Sequence, residues 1–118
     1  MRYKRFQICL ADLNPNFGTE AGKTRPVLII QSDLLNKVHP SIVVCPITTN
    51  IKKDVNILRV NIKKGEGGIK KDCAIMIDQI RAIDNRRIIK KIGDLPFSLR
   101  QNVIENIKII LDISLTEY

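Results

Sequence analysis

Aromatic residues are scarce in this sequence, and what the chain lacks excludes several classes of protein. It has no tryptophan, two tyrosines and three phenylalanines, which argues against an RRM- or OB-type surface that stacks bases on aromatic rings. No apolar run approaches the roughly 18 residues that a transmembrane helix needs. The basic residues 1–5 precede an apolar run that Asp12 ends too early for a signal peptide, so we expect a cytoplasmic protein.

Cysteine and histidine are too few and too widely spaced to indicate a disulfide framework or a zinc site. The three cysteines, Cys9, Cys45 and Cys73, each lie inside an apolar run, which predicts small buried side chains. The single histidine, His39, lies in a turn-like stretch and cannot form a metal cluster or a two-histidine acid–base pair. Any catalysis must therefore use arginine, threonine, serine, aspartate, glutamate or lysine.

The charge of the chain is strongly positive. Twenty basic residues against twelve acidic ones give a net charge of +8 and a pI near 9.7. The excess is spread along the chain, since residues 1–60 carry nine basic and four acidic residues and the remainder eleven and eight. This pattern favours a polyanionic partner, most simply nucleic acid, and the alternative is a solvated lysine-rich surface. A membrane surface is less favoured because no basic amphipathic helix is evident.

Short apolar or alternating segments predict about six β-strands, at residues 7–13, 25–31, 41–48, 55–62, 73–80 and 86–92. From about Ser98 the apolar residues recur at spacings of three and four, which predicts a helix, and Ser98 with Gln101 suggests a capping box. Because turns rather than crossover helices join the strands, the sheet should be mainly antiparallel. We expect one domain over residues 1–118, a small curled sheet or barrel with one packed helix.

Two connecting segments have more specific patterns. Residues 32–36 resemble a helical turn with Ser32 as its cap. The glycine-rich residues 63–68 lack the strand–helix context of a dinucleotide loop and have no Gly-Lys-Ser/Thr, so they predict a hairpin turn.

The loop at residues 14–24 is polar and contains two glycines, and it leads directly to Arg25 at the start of a rigid strand. An arginine placed there can hold a phosphate bidentately and offset negative charge that develops on it. Glu20 lies in the same loop and could accept a proton. The alternative is an ordinary solvated loop with an ion pair between Arg25 and Glu20.

Four segments together resemble the MazF/PemK (Kid-like) toxins, which are ribosome-independent endoribonucleases (mRNA interferases) of type II toxin–antitoxin modules. They are Ala11-Asp12-Leu13-Asn14-Pro15, the stretch from Gly18-Thr19-Glu20-x-Gly22-x-x-Arg25-Pro26 to Gln31, Pro46-Ile47-Thr48-Thr49, and residues 71–84 with Asp78-Gln79-Ile80-Arg81 at their core. The resemblance covers almost the whole chain. It implies an SH3-like barrel with a C-terminal helix, as in PemK and CcdB, and a homodimer.

The resemblance also implies a chemistry. Single-stranded RNA is cleaved when a ribose 2′-OH attacks the adjacent phosphorus, leaving a 2′,3′-cyclic phosphate and a 5′-OH. Neither a metal nor another cofactor is needed. A cognate antitoxin is implied as well, and we expect an acidic, partly disordered peptide that folds on binding and covers Arg25.

Carried onto this sequence, the resemblance implies that Arg25 and Thr48 are catalytic. Arg25 would stabilise the transition state and Thr48 would hydrogen-bond a phosphate oxygen, the alternative for Thr48 being a hydroxyl that satisfies local backbone. Asp78 could instead pair with Arg81 or a lysine, and Phe17 could be a core side chain rather than a base-stacking one. The implied RNA-binding residues are Phe17, Thr19, Glu20, Lys23, Lys52, Lys53, Asp78 and Gln79.

Two other functions fit the same scaffold. One is a gyrase poison like CcdB, and the other is an inactive nucleic-acid-binding module. Arg25 together with Thr48 favours the nuclease, because a gyrase poison has no use for that pair. The sequence departs from the family pattern at Phe6-Gln7, Ala21 and Lys23, which leaves both catalytic positions intact but changes loop residues that would contact flanking bases.

Overall fold

The computed structural model describes residues 2–51 and 58–114, and seven strands and two α-helices lie within those ranges. The helices are α1 (Asp33–Asn36) and α2 (Phe97–Leu111). The strands are β1 (Gln7–Asp12), β2 (Thr24–Ile29), β3 (Ser41–Thr48), β4 (Arg59–Ile62), β5 (Cys73–Met76), β6 (Arg81–Asp84) and β7 (Ile88–Asp94). The predicted strand 55–62 is seen from Arg59, and residues 55–57 lie outside the described ranges.

The strands form one antiparallel sheet in the order β4-β5-β3-β2-β1-β7, with β6 also pairing with β3. The central strand β2 is apolar on both faces, and Val27, Leu28 and Ile29 are fully buried. Leu28 packs in a core that includes Val103 of α2, whereas Val27 and Ile29 pack in a second core. The prediction of a mainly β, antiparallel fold with a C-terminal helix is confirmed.

The prediction of a single strand over residues 73–80 is wrong. The segment forms β5 and then a 3-10 turn at Ile77–Gln79, and the unpredicted strand β6 follows from Arg81. Both strands pair with β3, with Ile75 opposite Ile47 and Arg81 opposite Val44. Two positions that are six residues apart in the β5–β6 segment therefore face two positions only three residues apart in β3. The extra residues bulge out of the ladder, which a run of apolar side chains does not reveal.

The last predicted strand starts later than expected. Residues 85–87 form a 3-10 turn, Asn85–Arg87, and the following strand β7 begins at Ile88. Asp84 caps this turn by accepting a hydrogen bond from the Arg86 amide at 2.8 Å. A polar run with a capping aspartate favours a turn over a strand, for the same reason that Asp side chains cap helices.

The two helix starts differ from each other. Ser32 caps α1 as predicted, because its Oγ accepts from the Leu34 amide at 3.2 Å. The predicted capping box at Ser98 and Gln101 is wrong, since Pro96 occupies the N-cap position without a side-chain cap and Ser98 lies inside α2. The rigid extended backbone of Pro96 starts this helix in place of a hydroxyl cap.

The three cysteines are buried and unpaired, as predicted. Burial raises the pKa of Cys45 to about 12, and those of Cys9 and Cys73 to about 11. A thiol with so high a pKa is a poor nucleophile near neutral pH. Among the residues that the structure describes, no helix has the length and apolar character needed to cross a membrane.

Candidate active site

Arg25 is the second residue of β2 and is half-buried. Its Nε donates a hydrogen bond to the carbonyl oxygen of Gly22 at 2.7 Å, which fixes the guanidinium against the end of the preceding loop. The alternative ion pair with Glu20 is not formed, because that carboxylate accepts from the Phe17 amide at 2.8 Å instead. The outer nitrogens of Arg25 therefore keep donors for a ligand.

Thr48 ends β3 and is also half-buried. Its Oγ1 accepts from the Asn50 amide at 3.1 Å, so the hydroxyl does satisfy local backbone. A hydroxyl that accepts one hydrogen bond still has a proton to donate. The local contact orients Thr48 and leaves its donor available.

Arg25 and Thr48 line the same cleft, which has a volume of about 420 Å³. The register of β2 with β3 explains why, since Val27 faces Pro46 and the same register extended by two residues brings Arg25 opposite Thr48. An arginine and a hydroxyl that converge in one cleft can bind two oxygens of one phosphate. The remaining lining residues are Lys23, Thr24, Pro26, Ile47, Thr49 and Asn50.

The loop before β2 is held by its own side chains. The amide of Lys23 donates to Asn14 Oδ1 at 2.9 Å, and Asn16 Nδ2 donates to the Glu20 carbonyl at 3.3 Å. Gly22 suits this arrangement, because a Cβ there would lie 2.4 Å from Asn16 Oδ1 and would displace that side chain. These contacts give the residues that precede Arg25 a defined shape.

The predicted RNA-binding residues of this loop are on its outer surface. Phe17 is 85% exposed, so the interpretation of this residue as a core side chain is wrong. Thr19 and Glu20 are exposed beside it. None of these three lines the cleft that holds Arg25, whereas Lys23 does.

Asp78 and Gln79 are carried by the bulge between β5 and β6. Gln79 Oε1 accepts from the Ala21 amide at 3.3 Å, which ties the bulge to the loop before β2. Asp78 pairs with Arg59 at 3.8 Å, and within the described ranges it pairs with neither Arg81 nor a lysine. The bulge and the loop are thus brought together, while Lys52 and Lys53 lie outside the described residues.

Sequence analysis missed Arg87, which braces the base of this loop. Its side chain donates from Nη1 to the carbonyl oxygens of Asp12, at 3.1 Å, and Asn14. The side chain of the neighbouring Arg86 instead binds Asp84, through two hydrogen bonds of 2.9 and 3.0 Å, and this lowers the pKa of Asp84 to about 2. No local pattern distinguishes the two arginines, because the partners of Arg87 are more than 70 positions away.

Comparison with known proteins places this chain in a family. Residues 4–111 match the family described as PemK-like, MazF-like toxin of type II toxin–antitoxin system. The chain is 38% identical over 111 residues to endoribonuclease EndoA of Bacillus subtilis, covering 94% of this chain and 96% of that protein. It is 40% identical over 112 residues to endoribonuclease MazF of Staphylococcus epidermidis, with 95% and 90% covered.

This chain belongs to the PemK/MazF toxin family. The prediction of a toxin-family endoribonuclease is thereby confirmed. The fold agrees, since the structure of MazF from Deinococcus radiodurans superposes with a TM-score of 0.81 at 19% identity, over 96% of this chain and 99% of that one. The MazE–MazF complex of the same organism gives 0.77 at 21% identity, with 97% and 99% covered.

Replacing Arg87 by alanine should lower the kcat of the toxin on RNA about fivefold and also lower its Tm. Each lost hydrogen bond is worth about 1 kcal/mol, and the loop base that precedes Arg25 would lose its brace. Single-turnover cleavage with thermal melting measures both effects. Arg86→Ala is the matched control and should leave kcat unchanged, and Arg87→Lys should recover part of it. Equal losses of kcat in the Arg86 and Arg87 variants would contradict the bracing role.

Replacing Lys23 by glycine should stabilise the toxin but weaken RNA binding. Lys23 has a φ of 68°, a left-handed conformation that costs a non-glycine residue about 1 kcal/mol, so we expect Tm to rise by about 3 °C. Loss of the lysine charge should reduce the salt dependence of RNA binding by about 0.7 in log–log slope. Lys23→Ala loses the charge but keeps the backbone strain, so its Tm should not rise. If Tm rose in both variants, relief of backbone strain at residue 23 would not be the cause of the stabilisation.

Proposed function

We propose that the toxin cleaves single-stranded RNA by attack of a ribose 2′-OH on the adjacent phosphorus, in the cleft that holds Arg25 and Thr48. The observation that carries this proposal is the convergence of those two side chains from neighbouring strands. The reaction forms the O2′–P bond and breaks the P–O5′ bond, so the products carry a 2′,3′-cyclic phosphate and a 5′-OH. The 2′-OH loses a proton and the leaving 5′-oxygen gains one.

In this reaction negative charge accumulates on the non-bridging phosphate oxygens. Arg25 is fixed through its Nε, so its outer nitrogens can face those oxygens without reorganising. The Thr48 hydroxyl, oriented by the Asn50 amide, donates to the same phosphate. Arginine rarely deprotonates, and for that reason we assign Arg25 to charge stabilisation rather than to proton removal.

We assign RNA binding to the residues around this cleft. Phe17 offers an exposed ring for a base to stack on, and Lys23 offers a charge to a phosphate inside the cleft. Lys52 and Lys53 follow Thr48 in the sequence and would contact phosphates further along the strand. Thr19, Glu20, Asp78 and Gln79 would border the strand on the loop and the bulge.

We further propose that cleavage is sequence-specific and needs neither a ribosome nor a metal ion. The test is incubation of a long single-stranded RNA with purified toxin in EDTA, followed by mapping of the cut ends. Discrete cuts with 5′-OH ends and cyclic phosphates, without ribosomes, are expected. An absence of cleavage by folded protein would overturn the proposal and favour a binding module or a protein-directed poison.

The proposed partners are a second copy of the chain and an acidic antitoxin in the cytoplasm. The family assignment supports an antitoxin, and a net charge of +8 supports an acidic one. Exposed apolar side chains, such as Phe97 at 84% and Ile109 at 64%, offer surface that a homodimer could cover. Analytical ultracentrifugation of the toxin tests the dimer. Protection of Arg25 from phenylglyoxal upon antitoxin binding tests the blocked cleft.

A further inference from the structure

A second groove, with a volume of about 530 Å³, lies directly beside the Arg25–Thr48 cleft. The two share Pro26, Ile47 and Thr49 as lining residues, so they adjoin each other. The buried residues of the groove are apolar, and its exposed residues include four lysines. Its other lining residues are Gly68, Ile69, Lys70, Lys71, Cys73, Lys90, Lys91 and Ile92.

The glycine-rich turn between β4 and β5 builds one wall of this groove. At Gly93 of β7 a Cβ would lie 2.3 Å from the carbonyl oxygen of Gly67, and at Gly68 it would lie 2.6 Å from that of Ile92. Only glycine permits so close an approach of the turn to β7. The approach places Lys70 and Lys71, which follow the turn, in the same groove as the β7 lysines.

Most of the lysine charge in the groove is unpaired. Lys91 forms an ion pair with Asp94 at 3.1 Å. Across residues 2–51 and 58–114, no carboxylate pairs with Lys70, Lys71 or Lys90. Unpaired lysines around a buried apolar surface suit a ligand that combines negative charges with apolar faces.

We propose that this groove binds the nucleotides that flank the cleavage site on one side, with bases on its apolar surface and phosphates on its lysines. The proposal rests on the proposed RNA cleavage and assigns a binding subsite to it. Single-stranded RNA fits because it carries one phosphate for each planar base. The position of the groove next to the cleft favours RNA over a separate peptide ligand, since a strand bound at Arg25 must leave the cleft across a neighbouring surface.

The test compares the double variant Lys71→Ala/Lys90→Ala with the wild type. Lys71 follows the glycine-rich turn and Lys90 belongs to β7, and the control variant Lys37→Ala/Lys108→Ala removes equal charge outside both clefts. Binding is measured by fluorescence anisotropy on two RNAs that carry a 2′-deoxy nucleotide at the mapped cut. The minimal RNA contains only the nucleotides around the cut, and the other RNA is extended on one side. If no cut is found, binding is measured on a mixed-sequence 30-nucleotide RNA. RNA binding by the groove is then tested independently of cleavage.

In the wild type, extension on one side should strengthen binding about tenfold. The Lys71/Lys90 variant should lose that gain, together with about 1.4 in the log–log salt slope for two phosphate contacts. Cleavage of the minimal RNA should stay within twofold of the wild type. An unchanged gain in the variant would overturn the proposal. A change in the oligomeric state of the variant would also overturn it. The same holds if the variant loses affinity for an acidic antitoxin peptide but not for RNA.

Discussion

The kcat for RNA cleavage should fall about 10²- to 10³-fold when Arg25 is replaced by alanine. The guanidinium is fixed by the Gly22 carbonyl before substrate arrives, so the loss falls on the transition state, where phosphate charge is greatest. Affinity for RNA with a 2′-deoxy nucleotide at the cut should fall by less than tenfold. Single-turnover kinetics and anisotropy separate the two quantities.

Two controls sharpen this prediction. Arg25→Lys keeps a charge but loses the paired donors, so its kcat should lie between those of the wild type and Arg25→Ala. The Tm of both variants should stay close to the wild type, because the side chain is half-buried and forms one hydrogen bond. A fall in affinity equal to the fall in kcat would mean that Arg25 binds RNA without favouring the transition state.

Replacing Thr48 by alanine should lower kcat about 10- to 100-fold, as expected for the loss of one hydrogen bond to a charged oxygen. Its hydroxyl is oriented by the Asn50 amide and shares the cleft with Arg25. Cleavage rates on a mapped substrate measure the loss. The double variant with Arg25→Ala should lose less than the product of the two single losses, because both side chains act on one phosphate.

Serine provides the matched control at this position. Thr48→Ser keeps the hydroxyl and its contact to Asn50, so it should retain most of the wild-type rate. Thr48→Val keeps the shape and should be as slow as alanine. Activity in the valine variant would show that the side chain serves packing at the end of β3 and not the reaction.

Local patterns were sufficient for most of the fold. The apolar run in β2, the eight residues of β3 and the helical period of α2 each follow from side chains that are neighbours in sequence. Local patterns did not show that residues 73–80 divide into a strand and a 3-10 turn. Apolar side chains fill β5 and the bulge alike, and only pairing with β3 determines where the ladder breaks.

For the site, the sequence predicted the residues but not their neighbours. Glu20 is close enough in sequence to pair with Arg25. In the structure its carboxylate accepts a hydrogen bond from the Phe17 amide instead, and Arg25 Nε donates to the Gly22 carbonyl. Among the described residues Asp78 pairs with Arg59, which is distant in sequence, whereas the alternative drawn from the sequence was a pair with Arg81 or a lysine. Such partners depend on packing between segments, which no spacing along the chain encodes.

By itself the sequence determined the mainly β character, the C-terminal helix, the positive charge and the presence of the Arg25 and Thr48 motifs, because these depend on composition and local period. Tertiary structure alone decided that Arg25 and Thr48 line one cleft and that Arg87 braces the loop base. It also decided that Gly67, Gly68 and Gly93 bring four lysines to one groove. The physical reason is that strand register and backbone approach are set by burial of the whole sheet, over separations that local preferences do not span.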